Sequence, residues 1–256
     1  MDHTELRDLL DLKYNQFNQP AFIEDDPVSI PHLFSKKEDI EISAFLSAII
    51  AWGRRMMIMQ NARKLVEMMD MSPHDFVLNA SSQDMEPLKT FVHRTLNGED
   101  CLAMVLALRK VYKEDGGLEG IFSRMRKEDS TVYEGIEQAR AALLASDGFP
   151  ARTHKHVASP ARGSAAKRIN MFLRWMVRKD GRGVDFGIWK HIAPHQLICP
   201  LDVHTGNVAR KLGLLERKQN DWKAALELTR KLKVFSAEDP VKYDFSLFGL
   251  GVYDGF

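Results

Sequence analysis

Apolar residues recur every three or four positions along most of the chain, and no stretch alternates apolar with polar in the manner of a half-buried strand. The pattern predicts an all-α protein. Helices are expected at 2–17, 36–52, 56–70, 72–79, 99–114, 118–127, 131–146, 164–179, 205–214, 220–233 and 240–251, with irregular segments at 18–35, 148–163 and 180–201. Several ends carry their own signals. Ser72-Pro73 and Asp239-Pro240 read as a cap followed by a proline in the first turn, and Gly148 and Gly213 sit where helices should stop. Within 164–179, Ala165, Ile169, Phe172 and Met176 form one stripe at helical spacing, the face expected to be buried, while Lys167, Arg174 and Arg178 fall on another.

Composition narrows the class. With 45% hydrophobic and 28% charged residues, the 256-residue chain has the balance of a soluble globular protein large enough for one domain or two lobes around a cleft. Its longest apolar run, ISAFLSAIIAW at 42–52, is too short to span a bilayer. The start, MDHTELRDLLDLKY, lacks the basic, apolar and small-residue regions of a signal peptide, so the cytoplasm is the expected location. Two cysteines, Cys101 and Cys199, cannot furnish the four thiolates of a structural zinc or iron–sulfur site and read as buried, reduced thiols.

Charge changes the picture only when it is resolved along the chain. The net charge is +1, yet residues 151–182 hold Arg152, Lys155, Arg162, Lys167, Arg168, Arg174, Arg178, Lys179 and Arg182 against the single acid Asp180, a local +8. Such a concentration fits an anionic partner, phosphate backbone being the usual one, and fits equally a solvated helix face following a basic loop. Gly163 and Ser164 stand at the helix entrance, where backbone N–H groups and the positive end of the helix dipole favour a phosphate oxygen.

Two elements carry candidate chemistry. One is a Gly-x-x-x-Lys turn into a helix, Gly163 to Lys167. The other is a Pro-x-Asp-x-His turn into a helix, Pro200, Asp202 and His204, in the phrase PLDVHTGNVARKLGL. Taken singly, an aspartate before a helix is most often an N-cap and a lysine most often a surface residue. The pairs His154/His156 and His191/His195 read as phosphate contacts or surface residues rather than zinc ligands, since the first is a bare spacing in a loop and Pro194 interrupts the second.

Together, ARGSAAKRINMFL and PLDVHTGNVARKLGL resemble the helix-hairpin-helix DNA glycosylases, the superfamily of endonuclease III and the 8-oxoguanine glycosylases. ISAFLSAIIAWGRR at 42–55 and DPVKYDFSLFGLG at 239–251 are similar to further helices of that fold, and the phrases NMFLRWMVR and DPVKYDF resemble a bacterial branch of conserved hypothetical proteins. The chain departs from the family pattern in three ways. SPARG at 159–163 has one glycine where the hairpin usually has two; Lys167 and Asp202 lie 35 residues apart, the longer spacing of an archaeal 8-oxoguanine branch; and the cysteine-ligated cluster loop is missing.

The resemblance implies a two-lobed helical architecture, with a central barrel over 36–195 that includes a hairpin near 148–179, and a second lobe from 1–35 plus 196–256. It implies a monomeric DNA glycosylase and abasic-site lyase acting on a damaged base in double-stranded DNA, an oxidised purine among the candidates, with no iron–sulfur cluster or other cofactor. Lys167 would be the nucleophile and Asp202 the electrostatic and acid–base residue, with His204 in support. Arg152, Lys155, Arg162, Gly163, Ser164 and Arg168 would hold the DNA backbone. Trp52, Phe172, Trp175 and Phe248 would line the base pocket. A carboxylate beside the sugar suits the cation that develops as a glycosidic bond breaks. An amine attacks only when deprotonated, a state favoured by neighbouring cations and by a helix N-terminus, and Arg168 and the first turn supply both. Two other readings stay open: a DNA-binding module of the same fold without catalysis, and a helical protein that binds a small phosphorylated ligand or a protein partner.

Overall fold

The computed structural model describes residues 2–125 and 131–256, and among them every regular element is a helix or a 3-10 turn. The helices are α1 (His3–Phe17), α2 (Ala21–Glu24), α3 (Lys37–Ile49), α4 (Arg55–Glu67), α5 (Pro73–Asn79), α6 (Gly98–Glu114), α7 (Gly117–Phe122), α8 (Tyr133–Leu144), α9 (Lys167–Val177), α10 (Val203–Lys211), α11 (Trp222–Phe235) and α12 (Asp244–Val252). The expected all-α class is what the chain adopts. Of the predicted helix 118–127, the last two positions lie outside the described residues.

The chain divides into two compact units. One gathers the chain up to Phe22, the residues leading to Tyr133, and Ser159–Phe256; the other holds the chain from Ile23 through α7, and Glu134–Ala158. This differs from the expected lobes, because residues 159–195 group with the carboxy-terminal segment. Lys167 and Asp202 therefore belong to the same unit. In the other unit α3, buried continuously from Ile40 to Ile49, packs against α4, α5 and α7.

The unit that carries both candidate residues is built around α9, in which every position from Ile169 to Val177 is buried. Its apolar stripe is as predicted, with Ala165, Ile169, Phe172 and Met176 all in the core. Two of the three charged positions, Arg174 and Arg178, are not solvated, however. Arg174 donates to Asp185 (3.2 Å) and Asp244 (2.5 Å), and Arg178, fully buried, bonds Asp185 (2.5 Å), Asp239 (3.0 Å) and Asp180 (3.0 Å). A buried guanidinium is tolerated only when several acceptors replace its water, and here four aspartates from two stretches of chain, 180–185 and 239–244, do so. Burial alone would pull the Arg178 guanidinium down, but Asp185 and Asp239 beside it hold it above its usual value. Asp239 was expected as a helix cap; its side chain caps nothing, because both oxygens face Arg178.

Around α9, helix α12 packs on α1 and α10. The contact with α1 is close because position 249 has no side chain: a Cβ at Gly249 would lie 2.0 Å from the Phe17 ring. Gly249→Ala must displace that ring and is expected to cost about 1–3 kcal/mol, read as a lower denaturation midpoint at an unchanged slope.

Candidate active site

Asp202 follows Pro200 and the buried Leu201 in extended backbone (φ −118°, ψ −168°) and is the N-cap of α10. One carboxylate oxygen accepts the Thr205 backbone N–H at 3.0 Å, so the capping reading holds. The other oxygen faces the Lys167 amine at 3.7 Å. Both side chains are 26% exposed, so the pair is open to solvent on one side. At that separation it is an ion pair rather than a tight hydrogen bond, which leaves the amine free to meet a third group.

Lys167 is the first residue of α9. The helix starts three residues later than the pattern predicts because Ala166 adopts a left-handed conformation (φ 48°), which ends the preceding turn abruptly. No side chain caps α9, and the Lys167 amine lies 3.5 Å from Met171 Sδ one turn along. The hairpin-like turn before it differs from expectation in its backbone. The Gly163 N–H donates to Pro160 O (2.9 Å) and the Ser164 N–H to Ser159 O (3.2 Å), so neither is directed at a phosphate.

Behind the pair lies a second carboxyl. Asp244, first residue of α12, is buried and accepts from Arg174. Burial pushes it up to about 6, against the opposing charges of Arg174 and Lys167, and Asp202 adds to the rise. The Cys199 thiol is enclosed beside the same groups, and burial holds it well above the ordinary thiol range, so it stays neutral. Because the folded state binds the Asp244 proton more tightly than the unfolded chain, its contribution to stability is lost as pH rises from 3.8 to about 6. Asp244→Asn is expected to flatten that part of the pH–stability profile, which thermal melts across the window would measure.

Residues 26–253 match a protein family described as "Protein of unknown function (DUF2400)". The chain belongs to this family. No curated protein and no solved structure matches it.

The remaining predicted residues of the DUF2400 chain are scattered. Arg162, Gly163 and Ser164 are exposed near Lys167 in sequence, and Arg168 is half-buried, its guanidinium pulled down by burial to about 10. Arg152 and Lys155 belong to the other unit. There Lys155 is exposed, whereas Arg152 bonds Asn97 (2.6 Å) and Asp100 (3.0 Å). Trp52, also in that unit, is half-buried, stacked on His156 (5.8 Å) and edge-on to His93 (5.0 Å). His156 is neither a surface residue nor a phosphate contact, being buried 3.4 Å from Asp100. Phe172 and Trp175 have no exposed surface and build the core instead of lining a pocket. Phe248 is half-buried between Phe22 (6.0 Å) and Tyr253 (6.3 Å), one turn after Asp244. His204 is exposed, and the cap bond of Asp202 comes from Thr205.

Sequence reasoning missed Asp244 and Arg174 as parts of the site. DPVKYDFSLFGLG shows an aspartate opening an apolar helix, which reads as a complement to the helix dipole. Its burial follows from a partner 70 residues earlier, which no local pattern contains. The +8 segment is also less available than its formal charge suggests, since Arg152, Lys167, Arg174 and Arg178 all face carboxylates. Among the described residues, no group of three or more His, Cys, Asp or Glu could hold a metal ion, and no helix is long and apolar enough to cross a membrane.

Proposed function

We propose that the chain is a DNA base-excision glycosylase with associated abasic-site lyase activity, in the fold of the helix-hairpin-helix glycosylases. The observation that carries the reading is the Lys167 amine 3.7 Å from the Asp202 carboxylate, both partly exposed, at the starts of two successive helices. In this reading the Asp202 anion stabilises the positive charge that grows on the deoxyribose as the base departs. The lysine nitrogen bonds to the sugar C1′ while the C1′–N bond breaks; the base leaves with the electron pair of that bond and takes up a proton, and the lysine nitrogen loses one. Opening of the sugar ring then gives an imine between Lys167 and C1′, the starting point for strand cleavage. The target base would reach the pair only after leaving the stack, so part of the selectivity would lie in how readily it unpairs.

The test is incubation with duplexes bearing oxidised or abasic sites in the presence of borohydride, which delivers hydride to an imine and fixes the protein to DNA. A covalent adduct on one of these substrates supports the reading, and its absence on all of them overturns it. One observation favours a second reading, a helical protein that binds a small phosphorylated ligand: four cations of the basic segment are already paired with carboxylates. Failure to bind duplex DNA even at low salt, where phosphate contacts are strongest, would select it.

A further inference from the structure

The two turns that bear Lys167 and Asp202 arise from segments 35 residues apart, yet their side chains meet at 3.7 Å. A third segment, the loop 217–222 leading into α11, touches both turns. On one side the Asn220 Nδ2 donates to the Asp202 carbonyl at 2.9 Å. Arg210 holds that amide in place by donating to Asn220 Oδ1 (2.6 Å) and to the carbonyls of Arg217 and Lys218 (2.9 Å each). A guanidinium has only donors, so the carboxamide oxygen must face it and the Nδ2 must face Asp202. Gly206 leaves room for this cluster: a Cβ there would come within 2.7 Å of the Asn220 oxygen.

On the other side the same loop grips the turn before Lys167. The Trp222 N–H donates to the Gly163 carbonyl at 3.2 Å, and Ser164 pairs with Asp221 in an antiparallel bridge. Asp221 caps α11 through the Ala224 N–H (3.0 Å), and Arg217 Nε contacts both of its oxygens at 2.7 and 2.9 Å. Adjacent residues of one short, internally bonded loop thus fasten the two turns.

We propose that loop 217–222 is a brace that sets the spacing of the Lys167–Asp202 pair, and that Asn220 is a positioning residue acting through the Asp202 backbone. As an account of catalysis this rests on the glycosylase reading above; as an account of geometry it does not. Small displacements of reacting groups are costly, a misplacement on the order of 1 Å being worth roughly a hundredfold in rate.

The test uses the full chain, with Asn220→Ala, and with Asn220→Asp, which keeps an acceptor for Arg210 but loses the donor to Asp202. The first readout needs no DNA: reductive methylation of Lys167 with formaldehyde and cyanoborohydride at fixed pH, followed by mass spectrometry. The Asp202 carboxylate holds the amine in an ion pair at 3.7 Å, so Asp202→Asn should free it and speed labelling roughly two- to five-fold, the change expected on losing an exposed ion pair. Both Asn220 variants should move in the same direction with unchanged melting temperatures. The second readout is borohydride trapping on abasic duplex, where the Asn220 variants should lower kcat about ten- to a hundredfold and leave KM unchanged. Wild-type labelling rates in the Asn220 variants would overturn the brace, and so would a fall confined to KM. Altered labelling without trapping by any form of the protein would sink the glycosylase reading and leave the brace standing.

Discussion

Lys167→Ala is expected to give no borohydride-trapped adduct, and Asp202→Asn to lower the rate of base release roughly 10²–10³-fold, the usual consequence of removing one preorganised group that stabilises transition-state charge. The choice of asparagine matters. Asp202 caps α10 through the Thr205 N–H, and asparagine is as good a cap as aspartate, so the variant keeps the helix start and loses only the charge that faces Lys167. A cap without a chemical role would leave Asp202→Asn fully active. Asp202→Ala would show the complementary effect, a stability loss of about 1 kcal/mol from the missing cap. Lys167 occupies the first position of α9 and is partly exposed, so alanine, the best helix former, can replace it there without disturbing the fold. Circular dichroism and duplex-binding measurements alongside trapping would separate lost chemistry from lost structure. Equal trapping by Lys167→Ala would end the lyase assignment.

The largest effect on stability is expected from Arg178. Its guanidinium has no exposed surface and is bonded to Asp180, Asp185 and Asp239. Replacing it with leucine leaves Asp185, itself wholly buried, with Arg174 as its remaining cation. Removing one partner of a buried ion pair costs about 3–5 kcal/mol, because the uncompensated charge that remains dominates the loss. Arg178→Leu should therefore unfold at much lower urea concentration than the native chain. Combining it with Asp185→Asn should cost less than the sum of the two single changes, since each removes the group that the other leaves stranded. Strict additivity would mean that the network contributes little as a unit.

This network also marks where the sequence stops being legible. The helices were readable because their apolar spacing is local, and the start of α10 was readable because proline, aspartate and the following helix are adjacent. Arg174 and Arg178 defeated the same reasoning. On a helical wheel they occupy the polar face of an amphipathic segment, and partners 70 and 61 residues downstream, together with Asp180 and Asp185 in the following loop, turn that face inward. The late start of α9 escaped for a different reason: Ala166 has good helix propensity, and its left-handed conformation is imposed by the turn around it. The pairing of Lys167 with Asp202 was expected from resemblance, whereas the acid behind them, Asp244, and the loop that fastens both turns follow from tertiary contacts alone.

The amino-terminal helix has a bearing on how this protein can be dissected. Tyr14 and Asn18 donate to Asp180 (2.9 and 2.5 Å), and Asp11 accepts from Lys242 and Tyr243 (2.9 and 3.0 Å). The first eighteen residues are thus tied by packing and hydrogen bonds to the segment 159–256 of the same unit. A truncated fragment beginning at Ser159 would contain both Lys167 and Asp202, yet it would bare the apolar flank of α12 and strip Asp180 of two of its donors. Co-expressing residues 1–22 as a separate peptide should restore solubility to such a fragment.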